Sequence, residues 1–319
     1  MAFGLQSPWG VIQEIPCLMK GCLFAAALLA LPHPSVHAAV TPPTNGWVVW
    51  GSDRLDGRHE IYLMQADGIG VTRLTFKGGK APAWSHDGRW IAYNHTPDDS
   101  VHVIRWDGTG DKQICPKNIK QTNGGYLPPF WLHDKSGVLC ASGGDYHVVH
   151  PDTGVTKPLF KHADFTQIAG ADFMPSSMTA DNRWVLSATD RYRKGHTGSN
   201  GTFKAYWSAV ILDRQNPGEL YFFGPGCEPM TPPWGDSLYH VCGSSSFCPH
   251  GYDIARMSIK DVISRSSYAP EIANSDASWG HEYFPRVSND NKWLAYGAST
   301  GCHDHDLCDY EIFIHPLDG

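Results

Sequence analysis

Three histidines in two short segments carry the strongest chemical signal in this 319-residue chain. His281 lies in GHEYFP at 280–285, and His303 and His305 lie in GCHDHDLCDYEIF at 301–313. In extended backbone, residues two apart point the same way, so His303 and His305 can face one ion. His281 would be the third ligand, with Glu282 beside it. Asp304 and Asp306 would be the carboxylates that orient the imidazoles. The cofactor this implies is a divalent metal. The plain alternative is a charged hairpin tip whose side chains face water and hydrogen-bond locally.

A second constellation, Asp190-Arg191-Tyr192-Arg193-Lys194-Gly195-His196, places three cations beside an aromatic ring. Arg191 and Arg193 suit a carboxylate or an acidic sugar, because a guanidinium makes two parallel bonds to a carboxylate. His196, Tyr126 and Asp172 complete the candidate ligand-binding set, against the alternative of a solvated basic loop. The motifs G-x-S-x-G, H-E-x-x-H and the phosphate-binding glycine loop are absent from the sequence, so nothing supports a serine hydrolase, a zincin or a nucleotide enzyme.

The elements that position these residues repeat along the chain. Residues 81–93, APAWSHDGRWIAY, read as a strand, a tight turn at Asp87-Gly88 and a second strand, since glycine accepts positive φ without strain. Related stretches recur at 128–141, 175–188, 232–242 and 284–298. Taking Trp84, Trp131, Met178, Thr231 and Val287 as equivalent gives spacings of 47, 47, 53 and 56 residues. A loose period of this length with several short strands per unit marks a β-propeller. The pattern P-x-W-S-x-D-G-x-x-I-A-Y, with the I-Y-x-x-x-x-D-G strand at 61–68, resembles the TolB-type propeller repeat.

The expected fold is therefore all-β, a propeller of four-stranded blades over 47–319. Six blades are expected, or seven if the chain continues past Gly319. Strands are expected at 47–52, 60–65, 72–76, 284–288, 293–298 and 311–315, a helical turn at 259–264, and a mobile loop at 264–278. The first and last units each lack a strand, so their sheets should be neighbours. Asp87, Asp181 and Asp290 belong to the turns, and Trp84, Trp131 and Trp279 to blade packing.

Net charge is −7 with 18% charged residues and no basic block, which argues against nucleic acid. Lys20, the apolar run at 23–31 and the small residues at 36–38 read as a signal peptide over 1–38, with Met19 as an alternative start and 39–46 as a linker. No transmembrane anchor is expected after cleavage, and the location is periplasmic or secreted. In an oxidising compartment the remaining cysteines read as disulfides, paired Cys302–Cys308, Cys242–Cys248 and Cys115–Cys140, leaving Cys227 over.

In a propeller the loops from the outer strand of one blade to the inner strand of the next share a face with the loops between the second and third strands. The expected segments of that face include 76–81, 96–100, 121–128, 190–203, 223–228, 277–283 and 300–309, so His281, the HDHD run and the basic loop should share it. The resemblance implies an exported interaction module that binds an envelope protein or peptide. TolB also carries an amino-terminal α/β domain, for which 39–47 leaves no room, so its Tol–Pal role is not carried over. The alternative is a metal-assisted lyase acting on acidic polysaccharide. There His281, His303 and His305 would hold metal, Arg191 or Arg193 would bind the uronate, and Tyr126 or His196 would be the base.

Overall fold

The computed structural model describes residues 46–115, 129–142, 144–168, 173–189, 197–198, 201–202, 207–243, 248, 252–264, 271–274, 281–300 and 310–317. The first sheet joins β1 (Trp47–Ser52), β2 (Glu60–Gln65) and β3 (Thr72–Arg73). The second is four-stranded: β4 (Lys80–Trp84), β5 (Trp90–His95), β6 (Ser100–Arg105) and β7 (Lys112–Cys115). The third holds β8 (Val138–Ser142), β9 (Asp145–Val149) and β10 (Thr156–Lys161), with its inner strand reduced to a bridge from Trp131 to Val138.

A seven-stranded sheet follows. It contains β11 (Phe173–Met178), β12 (Trp184–Thr189), β15 (Ser208–Asp213), β16 (Leu220–Met230), β17 (Ser237–Cys242), β18 (Asp253–Ser258) and β19 (Glu271–Asn274). A small separate hairpin of β13 (Thr197–Gly198) and β14 (Gly201–Thr202) lies between β12 and β15 in sequence, and α1 (Ile259–Ile263) follows β18. The last sheet is β20 (His281–Val287), β21 (Trp293–Ser299) and β22 (Glu311–Pro316).

The repeated turn explains this architecture. Ser85 Oγ donates to Asp87 Oδ1 at 2.7 Å and accepts from Trp90 N at 2.9 Å. Thr179 does the same with Asp181 and Trp184 at 2.5 and 3.1 Å, and Ser288 with Asp290 and Trp293 at 2.5 and 3.0 Å. The aspartates also accept the amides of Arg89, Arg183 and Lys292. Gly88, Asn182 and Asn291 take the left-handed position at φ 68°, 56° and 58°. Each turn thus satisfies its own polar groups with local partners.

Inner strands share a second device. Ala81, Glu228 and Phe284 have φ of 49°, 52° and 60°, and each precedes a proline. Strand pairing shifts register at each: between Lys80 and Ala83, Cys227 and Met230, and Tyr283 and Arg286. Non-glycine residues in this region cost on the order of 1–3 kcal/mol each, so the surrounding ladder has to hold them.

Neighbouring sheets pack face to face in sequence. Ile61, Leu63 and Leu74 meet Ile91, Tyr93 and Ile104. Trp90 and Val103 meet Val138 and Val149. Tyr146 and Phe160 meet Phe173 and Val210. Met230, Tyr239 and Ile254 meet Leu294 and Tyr296. Burying each such side chain contributes about 1.5–3 kcal/mol. Ile312 of β22 packs against Trp50, Tyr62 and Met64, so the first and last sheets are neighbours without a shared strand among the described residues.

Several expectations need correction. The third strand ends at Arg73 rather than at 76, because Leu74 and Thr75 turn inward, and Thr75 Oγ1 donates to buried Glu60. Residues 223–228 are not a loop; they lie inside β16, which pairs with β15 through Pro225 and with β17 from Gly226. A Cβ on Gly226 (φ 134°) would stand 1.9 Å from the Val241 carbonyl oxygen, so glycine here marks close backbone approach. Residues 271–274, expected in a mobile loop, form β19 against β18. The strand expected to start at 284 begins at His281.

Two expected disulfides are present. Cys115–Cys140 ties β7 to β8 across neighbouring sheets with a sequence separation of 25, and Cys242–Cys248 closes a separation of 6. Cys302–Cys308 lies outside the described residues. Replacing Cys115 and Cys140 by Ser is expected to cost about 3 kcal/mol, and the short loop about 2 kcal/mol, since the longer closure restrains more of the unfolded chain. Denaturant melts of the two double variants check this order; a larger loss from the Cys242/Cys248 pair would contradict it.

Candidate functional site

His281 begins β20 and pairs with Ser299, while an isolated parallel bridge joins it to Tyr252. The Tyr252 ring stacks on the imidazole with centroids 5.2 Å apart and planes 25° apart. Burial lowers the His281 pKa, which favours the neutral imidazole that metals and protons seek. Strand alternation turns Glu282 to the opposite side. Its carboxylate is buried, and Oε2 accepts from Ile254 N at 3.1 Å, while its own amide donates to the Tyr252 carbonyl at 2.9 Å. Glu282 therefore fastens β20 to β18.

Beyond His281 the inner strand carries an aromatic and charged surround. Tyr283 is buried, and Phe284 is 39% exposed on its left-handed backbone. Tyr310 approaches both rings with centroids 6.1 Å away. Glu228 Oε2 accepts the Phe284 amide at 2.6 Å, linking two equivalent bulges. Arg286 Nη1 donates to the Pro285 carbonyl at 2.7 Å. Burial lowers the Arg286 pKa, and the charge of Glu228 opposes that shift. Burial, with the charge of Glu228, raises the Cys227 thiol pKa, which disfavours the thiolate.

Of the residues selected from sequence, His281 and Glu282 are thus placed. Arg191, Arg193, His196, Tyr126, Asp172, His303, Asp304 and His305 lie outside the described residues.

A polar cluster that sequence reasoning missed straddles the β5–β6 turn. His95 Nδ1 lies 2.7 Å from Asp98 Oδ1, and His102 Nδ1 lies 3.1 Å from Asp111 Oδ1. The His95 and His102 rings stack with centroids 4.5 Å apart, and Tyr93 donates to Asp111 at 2.7 Å. Hydrogen bonds from the Ser100 hydroxyl and then from His95 hold the Asp98 carboxyl at about 2. The signal was available: in an antiparallel pair with His95 opposite Ser100, His102 is the diagonal same-face neighbour.

The opposite end of the inner strands gathers the turns themselves. His86 Nδ1 lies 3.2 Å from Asn289 Oδ1, and His133 Nδ1 lies 3.0 Å from His86 Nε2. His133 Nε2 reaches the Thr231 carbonyl at 3.1 Å, and Ser177 Oγ accepts the Thr231 amide at 3.1 Å. Burial, reinforced by His86, holds His133 at about 4.

The repeated Ser/Thr-x-Asp turn, the pre-proline bulge of the inner strands and the face-to-face packing of successive sheets define a TolB-like β-propeller. Comparison with known proteins agrees. The Tol-Pal system protein TolB of Geobacter sulfurreducens is 35% identical over 78 residues, which cover 24% of this chain and 18% of that protein. The match therefore spans under a fifth of that relative's length. The crystal structure of TolB from Acinetobacter baumannii superposes with a TM-score of 0.54 at 14% identity, covering 86% of this chain and 64% of that one. An oligogalacturonate lyase in complex with manganese gives 0.51 at 10% identity, covering 86% of each chain. Likeness at these identities concerns the fold. No family model matches the chain.

Proposed function

We propose that this chain is an exported, six-unit TolB-like propeller that binds a partner at the cell envelope. Its binding surface is the face reached by the inner-strand bulges and by the loops between second and third strands. The observation that carries this reading is the strained pair Glu228 and Phe284, which presents a half-exposed ring beside Tyr310 on a backbone cross-linked by a carboxylate. Strain held in place by its surroundings gathers at binding sites. The two disulfides suit a periplasmic or secreted location, and the name of the Geobacter relative suits an envelope partner, protein or peptide. Among the described residues no helix is long and apolar enough to cross a membrane. A photo-crosslinking residue at position 284 should capture one discrete envelope protein in cells. The same probe at exposed Val155, in the β9–β10 turn at the other end of its strands, should not. Equal labelling at both positions removes the reading.

A second reading, metal-assisted cleavage of acidic polysaccharide, rests on the partly buried, Tyr252-stacked His281. One similar fold belongs to a lyase with bound manganese. In this reading His281, His303 and His305 would hold a divalent ion, which supplies charge to neutralise a uronate carboxylate. Arg191 or Arg193 would orient that carboxylate, and Tyr126 or His196 would take the neighbouring proton. Turnover of oligogalacturonate that is abolished by His281→Ala and by His303→Ala would put this reading first. Loss of metal without any turnover in the parent protein would leave the binding module standing.

A further inference from the structure

We infer that the β5–β6 hairpin carries a second, separate binding site for a divalent transition-metal ion, held by His95, Asp98 and His102. One donor atom from each residue lies within 4.8 Å of the others. The set of two imidazoles and a carboxylate is the borderline-soft mixture that selects zinc and its neighbours over calcium or magnesium, which prefer oxygen alone. Ligands about 2.0–2.1 Å from a tetrahedral ion stand roughly 3.3 Å apart, so the donors need to close by little more than an ångström.

The surroundings already supply what orients such ligands. Asp111 sits on His102 Nδ1, which sets the proton there and leaves Nε2 as the lone pair. Tyr93 in turn donates to the same Asp111 oxygen, so that carboxylate is fixed from the far side. Asp98 lies on the exposed turn with its side chain 51% exposed, while the His95 and His102 side chains are 16% and 14% exposed. The ion therefore has an approach from solvent, and the carboxylate can shift. Asp99 at φ 60° reverses the chain next to Asp98, and Ser100 donates through both its amide and its hydroxyl to Asp98 Oδ1. The stacked rings must splay to share an ion, a turn about the soft Cβ–Cγ bond. These ligands belong to the second sheet, whereas His281 belongs to the last, so the two sites fail independently.

Equilibrium dialysis of the purified protein against zinc tests the site. The parent should bind an equivalent that His95→Ala/His102→Ala loses and that His303→Ala/His305→Ala keeps. Asp98→Asn should weaken that equivalent. Asp111→Asn, which changes the orienting group but no ligand, should weaken it by about 10- to 100-fold. Cobalt(II) in place of zinc should give a visible ligand-field spectrum that the same double variant removes. If Ala substitution disturbs folding, seen by circular dichroism, His102→Gln serves instead. Unchanged zinc stoichiometry in a folded His95/His102 variant, or no zinc bound by the parent at millimolar concentration, overturns the proposal.

Discussion

Replacing Glu60 by alanine should lower the unfolding free energy by about 3–5 kcal/mol, the usual cost of removing one partner from a buried charge network. The Glu60 side chain is fully buried. Its Oε1 accepts Arg58 Nε at 2.9 Å and Arg73 Nη2 at 2.8 Å, and its Oε2 accepts Thr75 Oγ1 at 2.6 Å and Gly78 N at 3.0 Å. Removing the carboxylate strands four donors at once, and the Arg73 side chain is only 15% exposed. Thr75 Oγ1 also accepts the Ile61 amide at 2.8 Å, so the loss reaches the ladder of β2. Arg58→Ala should cost under about 1 kcal/mol, because that side chain is 51% exposed and solvent already screens it. For a domain of this size the Glu60 loss amounts to a fall in Tm on the order of 10 °C. A loss below about 1 kcal/mol in urea melts would show that Asp56, which also pairs with Arg73, carries the network alone.

Acidification should destabilise the protein well before its carboxylates protonate. Burial holds His133 and His240 each at about 4, against an ordinary value of 6.5. The unfolded chain therefore binds protons between pH 6.5 and 4 that the native state refuses, and stability falls as pH falls through that window. Each histidine contributes about 2–3 kcal/mol by the lower end, because every tenfold loss of proton affinity is worth about 1.36 kcal/mol before a discount for relaxation. Asp98, held at about 2 against an ordinary 3.8, adds its loss only below that window. His240 is fully buried with Phe223 edge-on to its ring, so His240→Leu should flatten the slope with little strain. His133→Gln should do likewise. Denaturant melts from pH 7 to 4.5 read the slope directly; identical slopes in the parent and both variants would contradict the assignment.

Much of the fold was legible in the sequence because its governing interactions are local. Ser85, Asp87 and Gly88 build a turn within six residues, and the same atoms recur at Thr179 and Ser288. The strands at β1 and β2 and the helical turn at α1 follow from short apolar runs and from Ser258, whose hydroxyl caps the helix. What escaped depends on distant partners. FGPGCE at 223–228 reads as loop, since glycine and proline punctuate it, yet Gly226 is there for close approach to β17. The polar EIAN of β19 is a strand only because β18 offers it a ladder. The same division holds for the site. The sequence singled out His281, whose neighbourhood then proved to be aromatic through Tyr252 and Tyr310, residues far along the chain. His95, Asp98 and His102 were passed over because their spacing makes sense only across a hairpin.

The bond from His133 to the Thr231 carbonyl spans two repeats, passing over the unit whose equivalent turn position is Ala180. Contacts between the turns of nearest neighbours, such as Asn182 to Asp134, would survive a change in the number of repeats. This chord would not. One more unit between residues 133 and 231 would carry the imidazole out of reach, and one fewer would drive it into the strand it now touches. His133 thus acts as a gauge of the span between these two units, and growth of this protein by duplicating a repeat there would require a new residue at 133 in the same step.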